Sequence, residues 1–152
     1  MKELDLKVRV FNACHELLEL KIQTANIALK DLEDTATAET KSSAGDKFET
    51  AREMMQQELA RNQRLLNDAL TTKALLSKID PCQVHTKGQL GSLIKTDTHL
   101  FFLGIGLGPV DVGDLKVMVL SLQSPIGMKL NGCLTGDQIQ HLHQVYTIKQ
   151  IL

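Results

Sequence analysis

Tryptophan is absent from this chain of 152 residues, and aromatic residues make up only 3% of it. A core built from the 43% hydrophobic share must therefore consist of Leu, Ile, Val and Met. Cysteine is scarce too: Cys14, Cys82 and Cys133 are odd in number, widely spaced and free of any Cys-x-x-Cys pair. That excludes a disulfide framework and a structural zinc knuckle, and it fits a reducing compartment. Charge of one sign is also missing. The formal net charge is -1, so nothing draws the whole chain to nucleic acid or anionic lipid. No hydrophobic run is long enough for a membrane span: the most apolar stretch, His99 to Val110, is short and interrupted by glycine. The charged start, Met1-Lys-Glu-Leu-Asp, is not a secretory signal. A soluble cytoplasmic protein of one domain or two small ones is expected.

Proline and glycine are unevenly absent. Before Asp80 there is no proline and one glycine, Gly45; all three prolines and the other nine glycines follow. Residues 1 to 80 hold twelve Lys/Arg and fourteen Asp/Glu, and the remainder holds five and four. A charged helical half precedes a glycine-punctuated strand half.

In the first half, Phe11, His15, Leu18, Ile22, Ala25, Leu29 and Leu32 alternate spacings of four and three, which predicts a helix with one apolar seam over residues 5 to 32. His15 falls on that seam as a packed or boundary residue. Val8, Cys14 and Leu17 widen the apolar face near the base. A second helix is expected from about Asp46 to Ser77, with Phe48, Met55, Leu59, Leu66, Ala69 and Leu76 on its seam and Asn62 as a polar, register-fixing interruption. Helices of this length make a hairpin of roughly 45 Å at 1.5 Å per residue.

Between the seams, Asp31 to Glu53 carries seven acids (Asp31, Glu33, Asp34, Glu39, Asp46, Glu49, Glu53) against Lys41, Lys47 and Arg52. It reads as an acidic tip. Carboxylates there suit a hard divalent cation such as Mg2+ held jointly with a partner. The plainer role is capping and dipole compensation: Ser43 or Asp46 at the N-cap, with Asp46 and Glu49 near the helix start.

Asp80-Pro81 ends the second helix. Residues 81 to 89 read as a linker, with His85 exposed in it. Strand patterns follow at Leu90 to Thr96, His99 to Ile105 and Leu115 to Leu120, with a tight turn at Asp97-Thr98 and a loop from Gly106 to Gly113. Ser124 to Gly132 reads as a short helix with Ser124 as cap, Pro125 at its first position and Gly132 as stop. Strands near Gln138 to Gln140 and Gln144 to Ile151 complete an α+β domain over 90 to 152, carrying one short helix.

Familiar catalytic patterns are missing. Gly104-Ile-Gly-Leu-Gly108 is followed by Pro109 and no evident helix, unlike a dinucleotide fingerprint. His141-Leu-His143 puts two imidazoles on one strand face without a nearby acid or thiol cluster. No nucleophile elbow and no charged cysteine neighbourhood occurs. A self-contained active site is not expected, and neither is a metal or cofactor stably held by this chain alone.

Ser124-Pro-Ile-Gly, then Leu130, Gly132 and the pair Gly136-Asp137, is similar to the Ser-Pro-Ile…Leu-x-Gly…Gly-Asp signature of the C-terminal domain of Gre transcript-cleavage factors (GreA and GreB). Phe48-Glu-Thr-Ala-Arg-Glu53 resembles the start of that family's second helix. Together the stretches span nearly the whole chain. The resemblance implies an N-terminal antiparallel coiled coil over 1 to 80 and an FKBP-like C-terminal domain. It also implies bacterial RNA polymerase as partner. The coiled coil would enter the secondary channel, in indirect contact with nascent RNA, and tip acids would help retain an active-site Mg2+ while the polymerase cleaves backtracked RNA. The factor would be an accessory to catalysis, working as a monomer, with a hairpin dimer as the alternative.

The tip departs from the family. The usual motif is close to Gly-Asp-Leu-x-Glu-Asn-Ala-Glu-Tyr. Aligned without gaps from Arg52-Glu53, its acidic positions land on Lys41, Ala44 and Lys47. The acids on offer are Glu39 and Asp46, with Asp34 and Glu49 behind them. Three outcomes stay open: cleavage through these acids, channel binding without cleavage, and an interaction hairpin unrelated to transcription.

Overall fold

The computed structural model describes residues 2–39 and 45–152, with side chains 38–39 and 45–48 left out. It contains a long helical hairpin followed by a six-stranded sheet with one short helix. Helix α1 spans Lys2–Glu39 and α2 spans Gly45–Leu76. By contact density the chain divides into two units, Met1–Glu16 with Thr72–Leu152, and Leu17–Thr71.

In the Leu17–Thr71 unit the seam is legible residue by residue. Leu18 and Ala25 are buried and Ile22, Leu29 and Leu32 half-buried on α1; Asn62 and Ala69 are buried and Met55, Leu59 and Leu66 half-buried on α2. Asn62 sits on the seam as expected and donates its amide to the Glu58 carbonyl at 2.9 Å. Phe48's side chain lies outside the described residues. Helix α1 runs seven residues past Leu32. Nothing from Asp31 to Glu39 breaks a helix, since it holds no glycine or proline, and Thr35 and Thr37 donate their hydroxyls back to the carbonyls of Asp31 and Glu33.

Nearer the start of α1 the buried positions are Lys7, Val10 and Cys14. Phe11 is half-buried and His15 exposed, so the stripe there is displaced by one residue from the sequence pattern.

The sheet consists of β1 (Leu93–Thr96), β2 (Leu100–Leu103), β3 (Gly108–Val112), β4 (Leu115–Leu120), β5 (Gln138–His141) and β6 (Gln144–Ile151), in the order β3-β4-β2-β1-β6-β5. Every pair is antiparallel except β2 with β4, which run parallel. The expected turn at Asp97-Thr98 is present, closed by the Thr96 N–H donating to the His99 carbonyl at 2.9 Å.

Residues 106–113 are not simply a loop, because they contain β3. Pro109 and three glycines read as breakers, but Pro109 is exposed on an edge strand, where a missing N–H is tolerated. Val110 and Val112 are buried and alternate with exposed Pro109 and Asp111, the signature of a half-covered strand.

One sheet face carries Ile94, Phe101, Leu103, Tyr146, Ile148 and Ile151, packed with Leu130, Cys133 and Ile139 around helix α3 (Pro125–Leu130). Phe101 and Tyr146 meet edge to face at 5.4 Å. The opposite face buries Leu93, Phe102, Val117 and Val119, with Val110 and Val112 in register beside them. Ile79, just beyond α2, lies so close that a Cβ on Gly104 would stand 2.6 Å from its Cδ1.

Candidate functional site

At the hairpin end, Asp34 on α1 and Glu49 on α2 are both exposed. Glu39 is the last residue of α1 and Asp46 the second of α2, and their side chains lie outside the described residues. Thr40 to Ala44, including Lys41, Ser43 and Ala44, lie outside them entirely. Asp46, Glu49 and Glu53 occupy successive positions three and four apart in the first turns of α2. Negative charge there complements the positive end of the helix dipole.

The C-terminal signature has a different character. Ser124 is an extended N-cap whose hydroxyl accepts from the Gly127 N–H at 3.1 Å and donates to the Ser121 carbonyl at 2.7 Å. Pro125 opens the helix, where its missing N–H costs nothing. A Cβ on Gly127 would stand 2.0 Å from the Ser121 carbonyl oxygen, so only glycine fits. Ile126 packs half-buried against the core and Leu130 is fully buried. Gly132 and Gly136 have φ of +85° and +96°, a region that favours glycine. Asp137 closes its turn through a carboxylate that accepts from the Leu134 N–H at 2.8 Å. Its backbone joins β6 by accepting from the Ile148 N–H at 2.8 Å. Each signature residue is thus committed to geometry, and the motif marks how the fold is built.

A buried polar cluster escaped the sequence reading. Lys7 is fully buried, and its ammonium donates to the Gln83 carbonyl at 2.5 Å. Burial lowers its pKa from 10.5 to about 8, against the opposing pull of Asp80 and Cys82. His85 is buried rather than exposed. Its Nδ1 lies 2.9 Å from the Ser92 hydroxyl, and burial together with the Lys7 charge lowers its pKa. The Ser92 hydroxyl also accepts from the Gln89 N–H at 3.0 Å. Residues 81–89 are therefore tied down rather than a free tether. Gly88 is fixed from the other side: its N–H donates to the Cys133 carbonyl at 2.9 Å, and its carbonyl accepts from Gly132 at 2.7 Å. A signal was present in the spacing of Lys7, Val10, Cys14 and Leu18, which places a lysine on an otherwise apolar stripe.

The remaining candidates fall away. The Gly104 and Leu107 amides donate to the carbonyls of Leu120 and Val119, so they are committed to β4 rather than free to cradle phosphate. His141 ends β5 and His143 lies in the following turn, separated by Leu142 at φ 55°, so the imidazoles do not share a strand face. Among the described residues no group of three His, Cys, Asp or Glu is placed to hold a metal ion, and no helix is long and apolar enough to cross a membrane.

No family model matches the chain, and no curated protein matches it. A solved structure described as that of the transcription factor Gfh1 is similar to it at 19% identity, covering 91% of this chain and 89% of that chain, with a TM-score of 0.32.

Proposed function

We propose that this protein is a Gre-type transcription factor that binds bacterial RNA polymerase through its secondary channel. The observation that carries the reading is the order of parts: a helical hairpin of α1 and α2, then a sheet domain in which Ser124 caps a helix opened by Pro125 and Gly132 and Gly136 take positive φ, at the positions that resemble the Gre signature. In this reading the sheet domain is FKBP-like and the protein is an accessory factor without a catalytic site of its own.

Glu39 and Asp46 are the acids assigned to polymerase-bound Mg2+, with Asp34 and Glu49 behind them. Carboxylate oxygens suit that ion, which would activate water and neutralise charge on the phosphodiester. The hairpin's part is to deliver those oxygens. A second reading, channel occupancy without cleavage, is favoured by Lys41, Ala44 and Lys47, which stand where the usual tip motif has acids.

Backtracked elongation complexes with Mg2+ separate the two. Accelerated release of short 3′ RNA fragments, lost in Glu39→Ala/Asp46→Ala while polymerase binding persists, supports cleavage. Binding with no acceleration supports the second reading. Absence of both refutes the polymerase assignment and leaves the signature as a mark of shared fold.

A further inference from the structure

The six-stranded sheet ends in two edge strands, β3 and β5. In an antiparallel ladder every second residue turns its N–H and C=O away from the neighbouring strand. On β3 the two-residue turn Gly113-Asp114 pairs Val112 with Leu115, so Asp111 and Pro109 are the outward residues. Pro109 has no N–H, which closes that position to a further strand. On β5 the turn Leu142-His143 pairs His141 with Gln144, so Gln140 and Gln138 face outward, and both are exposed. The other end of the strand agrees in phase, since the Ile148 N–H donates inward to the Asp137 carbonyl at 2.8 Å. No proline lies within β5. Instead Lys129, exposed on α3, donates its ammonium to the outward Gln140 carbonyl at 2.5 Å.

We infer that Lys129 is an edge guard: its ammonium occupies the outward carbonyl of β5 and keeps this strand from pairing with β5 of a second copy of the chain. The strand is built to pair with itself. Gln138 and Gln140 lie symmetrically about Ile139, so an antiparallel copy with both Ile139 residues at the two-fold axis matches each Gln138 N–H to a Gln140 carbonyl and each Gln140 N–H to a Gln138 carbonyl. That register sets Asp137 against His141 of the copy at both ends, and no like charges oppose one another along the strand. Of the four hydrogen bonds, the two that need the Gln140 carbonyl are pre-empted by Lys129. Displacing it leaves an ammonium without its acceptor beside a newly covered edge, at both copies. Pro109 defends β3 permanently, whereas the Lys129 contact is a strap that can be removed. The inference does not rest on the polymerase reading.

Sedimentation equilibrium of the full chain over a wide concentration range tests it, with circular dichroism to show that each variant is folded. The wild type should stay monomeric. Lys129→Met should raise the average mass toward twice that of the chain at high concentration, while Lys129→Arg, which keeps a cationic donor, should stay monomeric. Gln140→Pro in the Lys129→Met background should return the monomer: the N–H it removes faces the open edge, so the bonds between β5 and β6 survive. Amide exchange gives a second readout. In Lys129→Met at high concentration the Gln138 and Gln140 amides should exchange about tenfold or more slowly than in the wild type. A Lys129→Met protein that is monomeric at every concentration overturns the inference. So does a dimer that persists in Lys129→Met/Gln140→Pro, or a wild type that already dimerises with its Gln138 and Gln140 amides protected.

Discussion

Lys7 offers the sharpest quantitative test, because its burial sets both the sign and the window of a pH effect. In the unfolded chain the ammonium titrates near 10.5; in the folded protein burial lowers it to about 8. Below pH 8 both states hold the proton, and the folded state bears the full penalty of a buried charge. Between the two values the unfolded chain holds more protons, so stability rises with pH, and above 10.5 the penalty is gone. At about 1.4 kcal/mol per tenfold change in proton affinity, the gain is at most about 3.5 kcal/mol, of which about 3 kcal/mol is realised by pH 10.5; local relaxation would reduce it toward about 1 kcal/mol.

Cys14 acts oppositely in an overlapping window. Burial pushes its thiol from 9.0 up to about 12, so it contributes stability that is lost as pH rises through that range. The raw wild-type curve is therefore a sum of opposing slopes, and the informative quantity is its difference from Lys7→Met. Urea unfolding of both proteins from pH 7 to 10.5 should show the wild type gaining about 1–3 kcal/mol relative to Lys7→Met, most of it above pH 8. At pH 7 the two should differ little. The variant loses a buried charge but leaves the Gln83 carbonyl without its donor, and these effects are of similar size and opposite sign. A difference that stays constant across the window would refute the burial argument.

Other substitutions test the signature and the seam. Gly127→Ala should destabilise by about 3 kcal/mol or more in urea unfolding, since its Cβ would stand 2.0 Å from the Ser121 carbonyl oxygen and neither backbone can yield cheaply. Ser124→Ala should cost about 1–2 kcal/mol through loss of the cap, with Ser124→Asp recovering most of it. Asn62→Leu should raise the thermal midpoint of the hairpin. It should also loosen register, read as a broader distribution of distances between spin labels on α1 and α2.

Where each side chain's environment is set by its near neighbours in sequence, the fold was legible. The seams of α1 and α2, the Asp97-Thr98 turn and the capped helix α3 depend on spacing, turn chemistry and caps within a few residues. The misreadings share a cause: each environment is made by residues distant in the chain. His85 reads as exposed because its segment is polar, but it is buried, hydrogen-bonded to Ser92 and within reach of the Lys7 charge from α1. Residues 108–112 looked like a loop because Pro109 is a breaker everywhere except at an edge, and the edge exists only once β4 lies between β2 and β3. The parallel pairing of β2 with β4 has no local signal at all.

The candidate site divides along the same physical line. Ser124, Gly127, Gly132, Gly136 and Asp137 each satisfy a cap, a close approach, a positive φ or a turn, so most substitutions there incur a stability cost. The exposed acids at the hairpin end are under no such constraint. Asp34 and Glu49 lie on solvent-facing helix surface, where exchanging one residue for another changes stability by tenths of a kcal/mol. A chain can therefore retain the signature while the chemistry of its hairpin end changes freely. This is why the motif speaks strongly for the architecture and weakly for cleavage. It also locates the decisive experiment: acids introduced at Lys41, Ala44 and Lys47 change none of the signature residues Ser124, Gly127, Gly132, Gly136 and Asp137, so cleavage by RNA polymerase that appears only on their introduction reports on the hairpin end, and its absence counts against the proposed role of the tip.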